Sequence, residues 1–164
     1  MEPTTGEYNR PFLTADLELL AGYRRLQGIV FGKGDQRFEG QPLEAVMTAV
    51  LAEPDCLMVC RNAGSGTRIL IDRLLNGARP SGYWSQPKSH NAVAAAVAQG
   101  RADWGMTIDT VARQYGLGFI PVQDEHYDFV VPKARLERPP IQKFRAILGQ
   151  ASLQAVLRGA GFRF

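Results

Sequence analysis

Apolar positions along the chain change period repeatedly, and each change marks an element. Leu17, Leu20 and Tyr23 suit a helix, whereas Gln27-Gly28-Ile29-Val30-Phe31 reads as strand, so strand is predicted at least from Leu26 to Phe31. Gly32-Lys33-Gly34-Asp35 breaks that run, and Pro42 opens an amphipathic helix with Leu43, Val46, Met47, Val50 and Leu51 on one face. Residues 57–75 read as strand, small polar turn and helix, with Asn76-Gly77 as the stop. Gly82-Tyr83-Trp84-Ser85 is a short strand candidate, and Ala92 to Gln99 is a helix of small residues ended by Gly100. Ala102 to Met106 follows as strand, and a third helix is predicted to start at Thr107-Ile108-Asp109. Phe119–Val122 and Tyr127–Val131 are two further strands. Two amphipathic helices carrying Ile141, Phe144, Ile147 and Leu148, then Leu153, Val156 and Leu157, end the pattern. Strands alternating with helices at this spacing predict the α/β class, with a mostly parallel sheet covered on both faces.

In open α/β sheets, ligands bind beyond the carboxyl ends of the strands. Strand-to-helix junctions near Ser65, Asn91 and Thr107 would then face one end, each offering backbone N–H groups that lack a partner inside the helix. Gly64 and Gly66 let a ligand approach the backbone, and Ser65 and Thr67 offer hydroxyls. Arg68, a cation in a first helical turn, is unfavourable there unless an anion offsets it. The same residues suit an ordinary turn with Ser65 as N-cap. His90, just before a helix start, suits capping or packing as well as a ligand. Tyr8 and Asn9 could reach a cleft or anchor a loop.

Composition narrows these readings. The 164 residues carry 19 basic and 16 acidic side chains, a formal charge of +3, with no block of five like charges. That does not indicate nucleic-acid binding but suits a small anion. Cys56 and Cys60, four apart on a predicted strand, would have Cα atoms roughly 13 Å apart, too far for a mutual disulfide. The first seven residues lack a basic start and an apolar core, and no apolar run reaches membrane-spanning length, so a cytoplasmic chain is predicted. Two cysteines and two scattered histidines do not make a metal cluster, so neither metal nor cofactor is expected. Gly64-Ser65-Gly66 is not the Gly-x-Ser-x-Gly elbow of a serine hydrolase, and no phosphate-loop motif occurs.

Taken together, several segments resemble a known family. They are Gly6-Glu7-Tyr8-Asn9 with Pro11-Phe12-Leu13, Arg61-Asn62 with Gly64-Ser65-Gly66-Thr67-Arg68 and Asp72, and Gly82-Tyr83. Further on come His90 with Ala92 to Val97, Gly100-Arg101-Ala102-Asp103 with Gly105, and Tyr127-Asp128 with Val130 and Pro132. In order and spacing these are similar to the periplasmic-binding-protein-like domains related to molybdate- and tungstate-binding proteins, also found in molybdenum-cofactor biosynthesis fusions and helix-turn-helix regulators. The resemblance implies a type 2 fold of two α/β lobes, hinged by strands at Gln27–Lys33 and Tyr127–Lys133, with a tetrahedral oxyanion in the cleft. It implies an anion site of Ser65, Gly66, Thr67, Arg68, His90, Asn91, Ala92 and Thr107, with Tyr8, Asn9 and Tyr127 as further cleft contacts.

Relatives in this family carry a long first-lobe segment ahead of the Gly-Glu-Tyr-Asn element. The chain is therefore expected to hold the whole second lobe and only part of the first. Residues 1–54 would be partial first lobe and crossing strand, 55–126 the second lobe with its oxyanion-binding half, and 127–164 the return strand and C-terminal helices. The function implied is non-catalytic binding of molybdate or tungstate as a sensor or carrier. The alternatives are a truncated, non-binding interaction or oligomerisation fragment and a serine hydrolase. Expected partners are the oxyanion and a second copy or separate polypeptide completing the first lobe. That expectation leaves apolar surface uncovered on the Pro42 helix and the C-terminal helices.

Overall fold

The structure, a computed structural model, describes residues 13–164. By its contacts the chain divides into two compact units, one of residues 26–123 and one of residues 1–25 with 124–164. The expected boundaries at 54 and 126 differ from this division mainly at the Pro42 helix, which packs into the larger unit.

The first strand, β1 (Leu17–Phe31), is strand throughout, including the stretch whose periodicity also suited a helix. It is followed by α1 (Leu43–Ala52), β2 (Met58–Val59), α2 (Gly66–Leu75) and α3 (His90–Ala98). Then come β3 (Trp104–Ile108), α4 (Asp109–Gln114), β4 (Gly118–Pro132), α5 (Pro139–Leu148) and α6 (Ala151–Gly159). The sheet order is β2-β3-β1-β4. β2 pairs with β3 in parallel, but β3 pairs with β1 antiparallel, so the sheet is mixed and the expectation of a mostly parallel sheet is corrected. The antiparallel member is β1, which no helix precedes among the described residues. β1 and β4 are each a 15-residue strand running from one unit into the other. Phe119–Val122 and Tyr127–Val131, expected as separate strands, are parts of the single strand β4.

In the larger unit β3 is buried along its whole length. On one face Trp104 and Met106 pack with Ile29 and Phe31 of β1, Val46, Met47 and Val50 of α1, and Leu70, Ile71 and Leu75 of α2. On the other, Val59 and Val30 pack with Val93, Ala94 and Val97 of α3 and Val111 and Ala112 of α4. The apolar face of α1 is therefore covered, contrary to expectation, although Leu51 stays exposed. Small residues let α3 lie close to the sheet: a Cβ on Gly105 would stand 2.8 Å from Val93 Cγ1 and 2.7 Å from the Val59 carbonyl oxygen. Thr107 and Ile108, expected to begin a helix, complete β3 instead. Gly82–Ser85 is turn, not strand, although the carbonyls of Ser81 and Ser85 accept from the N–H groups of Met58 and Cys60 along β2.

Polar residues close the far end of this unit. Arg37 donates to Asp35 at 2.6 Å and to Asp103 at 2.7 Å, and Asp103 in turn accepts from the Leu57 N–H at 2.7 Å. One guanidinium thus ties the loop after β1 to the turn before β3.

The smaller unit has a different balance. Among its described residues only Leu20 and Val131 are buried. Tyr23 stacks on Tyr127 at 5.3 Å between ring centroids and meets Phe162 edge-on at 4.9 Å, while Phe129 meets Phe144 of α5 at 4.9 Å. Arg24 and Arg163 pair through their backbones, which brings the C-terminal residues alongside β1. Neither α5 nor α6 buries a residue, and Val156 is 70% exposed. Among the described residues no helix is long and apolar enough to cross a membrane.

Gly105→Ala should destabilise the chain by about 1–3 kcal/mol, because the new methyl meets backbone and a packed valine. Gly32→Ala, where a Cβ meets nothing, should stay within about 0.5 kcal/mol. Urea denaturation of the two variants checks the pair. The Arg37 hydrogen bond also holds the Asp35 carboxyl below its ordinary range. A carboxylate stabilised in the folded state contributes stability above its unfolded pKa, and that contribution is lost as pH falls through the lower folded value. Stability should therefore drop as pH falls below the ordinary carboxylate range near about 4, and Arg37→Gln should flatten the drop when denaturation midpoints are measured from neutral to acid pH.

Candidate anion site at two helix N-termini

The larger unit places the starts of α2 and α3 side by side. Gly64, at φ +82°, turns the chain in the left-handed region, where a side chain would be strained. Ser65 then caps α2: its Oγ accepts from the Arg68 N–H at 3.1 Å and donates to the Asn62 carbonyl at 3.0 Å. Ser89 caps α3 in the same way, its Oγ accepting from the Ala92 N–H at 3.1 Å. The amides of Arg68 and Ala92 are thus taken by the caps. Those of Gly66 and Thr67, and of His90 and Asn91, are the ones with no partner inside their helices.

Arg61 joins the two starts. It follows β2, is 7% exposed, and places Nη1 3.1 Å from His90 Nδ1 and Nη2 3.4 Å from the Lys88 carbonyl. Because a guanidinium only donates, His90 Nδ1 is the acceptor. The Asn62 N–H donates to the Pro87 carbonyl at 3.3 Å, which sets the two loops against each other. From β3, the fully buried Thr107 donates its hydroxyl to the His90 carbonyl at 3.3 Å. The Ser65, Asn91 and Thr107 regions therefore meet at one end of the sheet.

Individual side chains sit differently from one another. Thr67 is buried, while Ser65, His90 and Asn91 keep partial or full exposure. Arg68 is turned inward. Its Nε binds Asp72 at 2.9 Å, its Nη1 donates to the Arg61 carbonyl at 3.1 Å, and its guanidinium lies 4.3 Å over the Tyr83 ring. Tyr83 in turn donates to Asp72 at 2.9 Å. The dipole conflict noted for Arg68 in the sequence is answered by that carboxylate and ring, inside the protein. Arg61 is the residue that sequence reasoning left off the site. A signal for Arg61 was there, a charged residue directly after an apolar strand, but nothing in the pattern indicated which loop it would reach.

Tyr127 lies in the smaller unit, stacked on Tyr23 and beneath the Arg25 guanidinium at 4.6 Å. Tyr8 and Asn9 fall outside the described residues. The smaller unit also holds an open groove of about 510 Å3, lined by Leu19, Leu20, Gly22, Leu148, Gln154 and Phe164 among others.

As nucleophiles the cysteines are poorly placed. Burial pushes the Cys56 thiol up to about 11 and raises Cys60 as well, so neither forms a thiolate readily. Among the described residues, no three His, Cys, Asp or Glu side chains gather as a cation cage.

Comparison with known proteins agrees with this architecture. A family model described as a PBP superfamily domain matches residues 1–149. The Bacillus subtilis (strain 168) protein YvgK is 32% identical over 139 residues, covering 79% of this chain and 43% of that protein. A Clostridium pasteurianum protein from the 5′ region of a 2Fe-2S ferredoxin gene is 32% identical over 81 residues, 49% of this chain and 72% of its own length. The chain thus spans less than half of YvgK. Among solved structures, an ABC-type phosphate transport receptor from Vibrio cholerae superimposes with a TM-score of 0.60 at 12% identity, covering 93% of this chain and 74% of that one. The ancestral amino acid-binding protein AncCDT-1 gives 0.58 at 18% identity, covering 95% and 62%. At such identities the structural likeness is one of fold. With a family model matched over most of its length and this fold, the chain belongs to the periplasmic-binding-protein-like superfamily.

Proposed function

We propose that this chain is a non-catalytic binding domain for a small tetrahedral oxyanion, with molybdate and tungstate the anions that the sequence resemblance suggests. The observation that supports it is the meeting of the α2 and α3 first turns, where helix geometry leaves the Gly66, Thr67 and Asn91 amides without a partner inside the helix and whose loops are joined by the Arg61 guanidinium. Two helix starts aimed at one region favour negative charge more than either does alone. The neighbouring Vibrio cholerae structure, a phosphate transport receptor, is consistent with an oxyanion in this fold. A hydrolytic reading is less favoured because the Ser65 hydroxyl donates to the Asn62 carbonyl and His90 Nδ1 faces Arg61. Neither is arranged as a nucleophile and its base.

Isothermal titration with molybdate, tungstate, sulfate and phosphate tests the reading. Heat with at least one anion is expected, and silence with all four would defeat it. Thr67→Ala should weaken that binding with little change in fold. Ser65→Ala should weaken it too and additionally cost about 1 kcal/mol of stability through the lost cap.

A second proposal concerns partners. The smaller unit buries too little among its described residues to hold together by its own core, and α5 and α6 leave apolar side chains in solvent. A second copy or a separate polypeptide covers that surface. Size-exclusion chromatography of the isolated chain should then show self-association or poor thermal stability, and a strictly monomeric, cooperatively unfolding chain would count against it.

A further inference from the structure

Charge is divided unevenly along the chain. Residues 133–164 carry seven lysines and arginines and one acid, Glu137, whereas the whole chain carries 19 basic and 16 acidic side chains. The formal charge of +3 is therefore a C-terminal segment of +6 set against −3 for residues 1–132. All seven cations are exposed. Among the described residues only Arg163 of the seven enters an ion pair, with Asp124. A surface of that charge favours a negative partner.

The same segment walls the open groove of the smaller unit. Leu19 and Leu20 of β1, Leu148 of α5 and the C-terminal Phe164 give the groove, about 510 Å3, its apolar side chains. Gln154 Nε2 donates to the Leu148 carbonyl at 3.1 Å, which fixes α6 against the end of α5. Two cations border this concavity. Arg145 lines it directly, and Arg158 lies 5.4 Å over the Phe164 ring and donates to Gln154 Oε1 at 3.2 Å. An apolar floor with arginines at its margin is thus presented to solvent.

We propose that this groove docks an acidic polypeptide segment of a separate protein, which lays apolar side chains on Leu19, Leu20, Leu148 and Phe164 and sets carboxylates against Arg145 and Arg158. This rests on the reading that a partner covers the α5 and α6 surface, and it names that partner's chemistry. A two-fold pair of identical chains would bring the same +6 segment against itself, and like charges facing across an interface oppose association. A flat lipid surface or a nucleic-acid duplex would meet the cations and leave the concave floor unfilled. A chain carrying both carboxylates and apolar side chains answers both features.

Fluorescence anisotropy of the full chain with labelled synthetic peptides tests this. In one peptide leucines alternate with glutamates, in a second lysines replace the glutamates, and in a third serines replace the leucines. The Leu–Glu peptide should bind about tenfold or more tighter than either control and should weaken as salt is raised. The double variant Arg145→Glu, Arg158→Glu should lower its affinity by about tenfold. A thermal melt confirms that the variant is folded, and if it is not, the peptide preference of the unaltered chain decides alone. Equal binding of the three peptides, or tighter binding to phosphatidylglycerol vesicles or duplex DNA than to the Leu–Glu peptide, would overturn the proposal. Self-association of the chain that the Leu–Glu peptide fails to displace would also overturn it, while leaving the covering of this surface by a second copy standing. A strictly monomeric, cooperatively unfolding chain that binds none of the peptides would overturn both.

Discussion

A strand buried on both faces has to be covered twice, and in this chain that requirement organises the larger unit. Each of the five residues of β3 is buried, so apolar layers are needed above and below it. α1 and α2 supply one layer and α3 with α4 the other. Because β2 is parallel to β3 and α2 begins where β2 ends, α2 starts at the end of the sheet where β3 finishes. α3 packs back along β3 on the opposite face and is tied at its start to Thr107. Covering one strand from both sides thus brings two helix N-termini to one edge.

What happens at that edge depends on charge. Two helix N-termini held together repel through their dipoles, and the cation of Arg61 between them adds to the positive potential. The arrangement is held by hydrogen bonds from Arg61 to His90 and to the Lys88 carbonyl, and by Asn62 to Pro87. Arg68 is placed differently: it meets Asp72 and the Tyr83 ring, so it anchors α2 to the turn at residues 80–85. Two arginines seven positions apart therefore do different jobs.

Much of this was legible in the sequence, for identifiable reasons. The glycine-rich turn at 64–66, the small-residue helix after His90 and the left-handed stop at Asn76 are local signals, and local signals survive without knowledge of the fold. Strand direction was not legible. Nothing in residues 17–31 or 118–132 indicates that each is one continuous strand reaching into both units, because alternation there is blurred by Gly22, Gly28 and Pro121. The surroundings of Arg68 were not legible for a related reason, since its partner Tyr83 is distant in sequence and lies in a segment that looked like strand.

The two units also differ in how completely they satisfy the same physics. The larger closes a core on both faces of β3. The smaller keeps aromatic contacts among Tyr23, Tyr127, Phe129, Phe144 and Phe162 but has little beneath them. Ring stacking of this kind contributes about 0.5–1.5 kcal/mol per pair beyond burial, too little to offset the ordering of α5 and α6. A relative more than twice as long as the matched part shares this sequence pattern. Ile147 of α5 and Val156 of α6 are the large apolar side chains that these two helices leave exposed.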